Sequence, residues 1–312
     1  MIHIGHHNLI YLFMLNKKIW AAIVLLAATS CSNESELTVN DAQAEQNVQV
    51  PVKVHVSGYA VTQDDFPATR AAQDVNDYNG VKAITLAFYS GSTQAYTATQ
   101  LREDASTYTT FGEFECALPM GSYTMVVIAR GHGEGDVFTL TSPTEAAYTS
   151  DHTRETFAAT QAVSITSTNS VDISATLNRI VAKLQVISSD GRTADANNVR
   201  MTMSAGSKGF NPTTGLANSN TGFANTVPIS AAVGNISNSA SYLFLTADEQ
   251  NIDVTIETLD ADGNTLFSKT VENVPFKRNR VTKLTGAMYT NDALSGTFQL
   301  ETAWLSDYNA DF

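Results

Sequence analysis

Val48-Gln49-Val50-Pro51-Val52-Lys53-Val54-His55-Val56 places five valines on alternate positions, with polar residues or proline between them. Period two over nine residues, β-branched throughout, predicts a half-buried strand. Pro51 has no N–H to donate, so the strand is expected at a sheet edge or where one of its sides is unpaired. Downstream the pattern repeats. Apolar, β-branched runs at 81–89, 121–130, 241–245, 252–259, 265–271, 281–289 and 296–304 are separated by turn signals such as Ser90-Gly91. The stretch 170–187 either turns near Asn178-Arg179 or passes from one domain into the next, and 193–225 is rich in Ser, Gly, Asn and Thr and weakly patterned. No window longer than ten residues carries the 3.6 period of a helix. The chain is therefore expected to be all-β, with the strand spacing of sandwiches. A break near Thr176 divides it into two tandem β-sandwich-like domains, 48–175 and 176–312.

Upstream of the valine strand, Asn16-Lys17-Lys18 is followed by an apolar run and small residues up to Ser30, and then by Cys31. A charged n-region, a short apolar core and small residues describe a secretory signal over 1–30, and a cysteine directly after the cut is the layout of a bacterial lipoprotein. Residues 1–13 read as an upstream extension, because Met14 would itself begin a normal n-region. The apolar run is too short for a bilayer, which takes about 20 residues. Acylation (palmitate among the chains) at Cys31 is expected to tie the exported protein to a membrane, stably because two or more chains are carried. Residues 31–47 are polar and acidic, with Glu34, Glu36, Asp41 and Glu45, and form a tether that cannot bury enough to order itself.

Without the leader, sixteen Lys and Arg face thirty-one Asp and Glu, a formal charge of −15. Such a surface argues against nucleic acid, whose binding rests on neutralised phosphates, and against a polybasic grip on anionic lipid. Cys116 is the second of two cysteines, so acylation of Cys31 leaves no intramolecular disulfide. Cys116 lies in the alternating stretch Glu113-Phe114-Glu115-Cys116-Ala117-Leu118 and reads as a small buried hydrophobe rather than a nucleophile.

Candidate chemistry is sparse. His55, His132 and His152 stand far apart without metal-ligand spacing. Gly131-His132-Gly133-Glu134-Gly135-Asp136 lacks the phosphate-binding register and precedes a strand, so it reads as a hairpin loop. Asp260-Ala261-Asp262-Gly263-Asn264 has its glycine too early for a calcium loop and reads as a tight hairpin turn. No cofactor, metal or enzymatic activity is expected. Arg70, in the exposed-looking segment Asp64-Asp65-Phe66-Pro67-Ala68-Thr69-Arg70-Ala71, occupies the kind of loop that proteases cut.

Taken in order, several segments resemble the fimbrillin family that builds the type V pili of oral and gut anaerobes. They are the lipobox ending in Cys31, the valine strand, Thr69-Arg70-Ala71, residues 81–89, Gly121-Ser122-Tyr123-Thr124-Met125-Val126-Val127-Ile128-Ala129, Arg179-Ile180-Val181-Ala182-Lys183-Leu184-Gln185-Val186, and Arg278-Asn279 in 275–284. Thr297-Phe298-Gln299-Leu300-Glu301-Thr302-Ala303-Trp304 completes the set, with its tryptophan. The resemblance covers nearly all of the chain after the leader. Shaft fimbrillins are usually longer, mostly in the second domain.

The resemblance implies transthyretin-like domains with Greek-key-type antiparallel sheets. It further implies a lipidated precursor that a trypsin-like maturation protease cuts after Arg70, removing the strand and loop 48–70. Val48, Val50, Val52, Val54 and Val56 would be the plug of the groove so opened. Phe298, Leu300 and Trp304 would line the groove or donate the strand that refills it. Losing the plug bares an apolar slot and an unpaired edge, and strand addition restores both ladder and pockets. Joined head to tail without closure, such subunits make a fimbrium that serves adhesion. The partners implied are further copies or related subunits, the protease and outer-membrane lipid. Two alternatives stay open: an anchor or tip subunit that keeps its lipid, and a lipid-anchored surface glycan-binding module.

Overall fold

The computed structural model describes residues 48–60, 74–75, 77–150, 152–290 and 299–300. Among them the backbone is almost entirely strand and turn, with a single 3-10 turn at Ala105–Thr107. The first strands are β1 (Gln49–Ala60), β2 (Ala83–Ser90), β3 (Thr93–Leu101), β4 (Glu113–Pro119) and β5 (Gly121–Arg130). Then come β6 (Phe138–Ser142), β7 (Glu145–Tyr148), β8 (Thr156–Ile165) and β9 (Val171–Arg179). Seven of these form one sheet in the order β3-β2-β5-β8-β9-β1-β4. The sheet rolls over a core in which Val50, Val52, Val54 and Val56 meet Ile84, Leu86, Phe88, Met125 and Val127.

β2 and β5 are buried on both faces, which is why they read as near-continuous apolar runs. Their inner residues line the roll. On the outer face Ala87, Tyr89, Val126 and Ile128 pack against Tyr148, Phe210 and Phe244. This outer cover is a four-stranded sheet, β13-β12-β7-β6, to which β12 (Gly209–Asn211) and β13 (Leu216–Ala217) come from far along the chain. Phe210 of this sheet stacks on Phe244, which lies outside its strands, with ring centroids 4.2 Å apart. The segment 131–136 therefore joins strands of two different sheets and is not a hairpin loop. Asp136 holds it closed, accepting from the Gly133 N–H at 2.8 Å and from Arg154 in a bidentate pair.

The remaining strands are β10 (Ala182–Ser188), β11 (Asn198–Met203), β14 (Phe223–Pro228), β15 (Asn238–Leu243), β16 (Glu249–Leu259), β17 (Thr265–Lys277), β18 (Val281–Gly286) and β19 (Gln299–Leu300). They make two further four-stranded sheets, β15-β10-β18-β19 and β14-β11-β16-β17. Leu184, Val186, Met201, Met203, Val254 and Ile256 fill the space between them as in a sandwich. The β16–β17 hairpin turns at Asp260–Asn264, where the Asp260 carboxylate accepts from the N–H groups of Asp262 and Asn264. Gly263 takes φ 85°, as the hairpin turn requires. Most strand pairs are antiparallel; β1 with β9 and β10 with β18 are parallel.

Candidate functional site

β1 lies inside its sheet, antiparallel to β4 on one side and parallel to β9 on the other. Pairing with β4 covers Gln49 to His55, whereas pairing with β9 begins only at Val52. Pro51 thus sits where the β9 side has no partner strand, which is how a residue without an N–H is accommodated in a doubly paired strand.

The inward face carries Val50, Val52, Val54 and Val56, each at most 1% exposed, and ends on the fully buried Tyr59. Val48 precedes the strand and stays 42% exposed, because the inner face of the sheet ends where Gln49 meets Pro119. Burial of these four valines corresponds to a gross stabilisation of about 6–12 kcal/mol. Tyr59 extends this buried face. Its ring packs 4.8 Å from Phe157 and 5.7 Å from Tyr78. The strand reaches it past an irregularity between Val56 and Gly58, where the Ser57 hydroxyl donates to the Ala175 carbonyl. That irregularity interrupts period two, so Tyr59 does not stand out from valine spacing alone.

The outward face is charged. Lys53 Nζ lies 3.0 Å from Glu115 Oε1 across the β4 pair, and its partner in β9 is Asp172. The hydrogen bond and charge of Glu115, with Asp172 and Glu113 beyond it, raise the Lys53 pKa. His55 Nδ1 stands 3.5 Å from Glu113 Oε1. A groove of about 700 Å³ runs along this face, with Lys53, His55, Tyr96, Tyr108 and Glu113 among its walls. Glu113, Glu115 and Asp172 were not singled out by sequence reading, since their meaning depends on the register of two distant strands.

At the base of the site, Tyr78 donates to Glu155 at 2.6 Å and Arg179 Nε lies 2.7 Å from the same carboxylate. Arg179 also stacks over Phe157 at 5.0 Å and donates to Asn279 Oδ1 at 2.9 Å. The end of β1 is thereby tied, through Phe157 and Arg179, to the β17–β18 turn. Cys116, opposite Val52, is half-buried, and burial pushes its thiol up to about 11. Among the described residues no group of His, Cys, Asp and Glu is arranged to hold a metal.

β10 occupies the corresponding place in the second half, antiparallel to β15 and parallel to β18. It follows β9 after two residues, whereas residues 61–82 separate β1 from β2. Cys31, Arg70, Phe298 and Trp304 lie outside the described residues, as do the leader and tether. Leu300 pairs with Leu284 at the edge of the β15-β10-β18-β19 sheet, a different sheet from the one that holds β1.

Fold and site define a class: an all-β protein whose first strand fills a slot between two others. The chain belongs to a family of unknown function (DUF6562), whose profile matches residues 41–310. No curated protein matches the sequence. Two solved structures are similar in outline. An inferred adhesin from Bacteroides ovatus has a TM-score of 0.48 and 8% identity, over 77% of this chain and 89% of that one. The fimbrial anchor protein Mfa2 from Porphyromonas gingivalis has a TM-score of 0.45 and 10% identity, over 81% of this chain and 97% of that one.

Proposed function

We propose that the chain is a non-enzymatic fimbrial subunit of the cell surface, exported as a lipoprotein through Cys31 and opened for assembly by a cut after Arg70. One observation carries the reading: β1 is a strand with four fully buried valines, wedged between β4 and β9 and joined to β2 through the segment that contains Arg70. Removing it bares a slot about 10 Å wide, two interstrand spacings, with an unpaired edge on each side. While β1 is in place the slot is closed to other strands, so the precursor is inert. Two tandem domains belong to the same reading, divided between β9 and β10 because Thr176 lies within β9, and so does a terminal strand around Phe298, Leu300 and Trp304 that docks into another subunit.

The test is to treat the secreted precursor with a trypsin-like protease. A single cut after Arg70, followed by SDS-resistant complexes with other fimbrial subunits added to the mixture, which Arg70→Ala abolishes, is the expected result. A folded precursor that resists the protease, or an Arg70→Ala chain that assembles normally, overturns opening by cleavage and leaves a permanently lipidated anchor.

A further inference from the structure

The slot is selective in charge and in size, and both properties bear on what refills it. This argument rests on the strand-exchange reading above. Along the outward side, Glu115 and Glu113 of β4 and Asp172 of β9 flank the strand, and Lys53 and His55 answer them. With β1 gone the three carboxylates face one another across the slot, and a strand carrying an acid there is repelled. Along the inward side, four consecutive positions each hold one valine at 0–1% exposure within the packed core, and an aromatic ring is held only beyond them, at Tyr59. A Phe or Trp placed at one of the four valine positions over-packs the core.

Residues 291–312 meet neither requirement. They contain Asp292, Glu301, Asp307 and Asp311 and no Lys, Arg or His. Their alternating stretch would present Phe298, Leu300 and Trp304 inward and Glu301 outward. We infer that the occupant of the emptied slot is a strand of a different subunit, alternating valine-sized residues with an outward Lys or Arg at the place of Lys53, and not residues 297–304 of a second copy. Exposed ion pairs add little affinity, but like charges placed side by side discriminate strongly against the wrong partner. This chain would then cap or hand over to another subunit type through its slot and would not polymerise with itself by that route.

The experiment uses the full chain cut after Arg70 by an Arg-specific protease and mixed with fluorescein-labelled peptides, exchange being followed by anisotropy. The peptides are 49–60, its Lys53→Glu form, 297–304, and its Glu301→Lys form. The 49–60 peptide should exchange in, and Lys53→Glu should weaken it about tenfold, a loss that shrinks as salt is raised. The 297–304 peptide should bind at least as weakly as the Lys53→Glu form and gain from Glu301→Lys. In a Glu115→Lys chain the Lys53→Glu peptide should recover; the salt dependence in the unaltered chain gives the same answer if that variant does not fold. Equal binding of 297–304 and 49–60, or a charge reversal without effect at any salt concentration, overturns the inference alone. Failure of 49–60 itself to exchange overturns strand exchange, and the inference with it.

Discussion

Gln100 and Gly112 join the two outer strands of the rolled sheet: the Gly112 N–H donates to Gln100 Oε1 at 2.8 Å. Gln100 is 5% exposed near the end of β3, and its Nε2 donates in turn to the Glu113 carbonyl at the start of β4. Gly112 takes φ 92°, and its carbonyl accepts from the Val56 N–H at 2.9 Å. One side chain thus links β3, β4 and, through Gly112, β1. Replacing it by Gln100→Leu leaves the buried Gly112 N–H unpaired and removes the bond to the Glu113 carbonyl, and should cost about 1–3 kcal/mol. The measurement is the urea midpoint, with hydrogen exchange at Val56 expected to accelerate in the same variant.

The buried face of β1 has a sharp N-terminal limit, between exposed Val48 and buried Val50. Val54→Ala empties part of a closed pocket and should destabilise the chain by about 1–3 kcal/mol. Val48→Ala, at an exposed position, should stay within about 0.5 kcal/mol. Equal effects in thermal or urea unfolding would place that limit elsewhere.

Acid should unfold the protein through its paired carboxylates. Burial pushes the Asp136 carboxyl up, but the Arg154 pair and the Gly133 N–H outweigh it and hold the pKa below its ordinary value. The Arg200 hydrogen bond does the same for Glu257, against the cost of burial. A depressed folded pKa contributes stability that is present above the ordinary carboxylate pKa and is lost as pH falls through it towards the folded value. Stability should therefore be level above about pH 5 and decline below about pH 4. Asp136→Asn should be less stable at neutral pH and show a shallower decline in circular-dichroism titrations.

Cys116 offers a readout of the slot. Its thiol is half-buried opposite Val52 and, with burial pushing it up to about 11, is protonated at neutral pH. Alkylation should be slow in the intact chain and should accelerate once β1 is displaced, because the thiolate is the reactive form and solvation restores it. An unchanged rate after the cut would mean that β1 had not left.

Alternation made the fold class legible. Val52-Lys53-Val54-His55-Val56 and Ile252-Asp253-Val254-Thr255-Ile256 each expose one face and bury the other, so the period of the strand is written in the residues themselves. β3 was harder to see. Thr93-Gln94-Ala95-Tyr96-Thr97-Ala98-Thr99 is mostly polar and small, since an outer strand of the sheet buries little. β11 was hidden by its setting: Val199, Met201 and Met203 alternate well, but they lie in a stretch dominated by Ser, Asn and Gly. Among the site residues, the four inner valines could be read directly. Tyr59 could not, because the irregularity after Val56 shifts the register.

Residues within one strand report which face each side chain takes, because that depends on local geometry alone. They determined that this protein is β throughout, that Val50 to Val56 share a face, and that Lys53 and His55 share the other. The neighbours of that strand are a matter of chain topology. That Glu115 and Asp172 flank Lys53, that Gln100 reaches Gly112, and that β10 takes in the second half the position β1 takes in the first were decided by tertiary structure alone. Such contacts join residues tens of positions apart, and their register is set by packing the whole core at once.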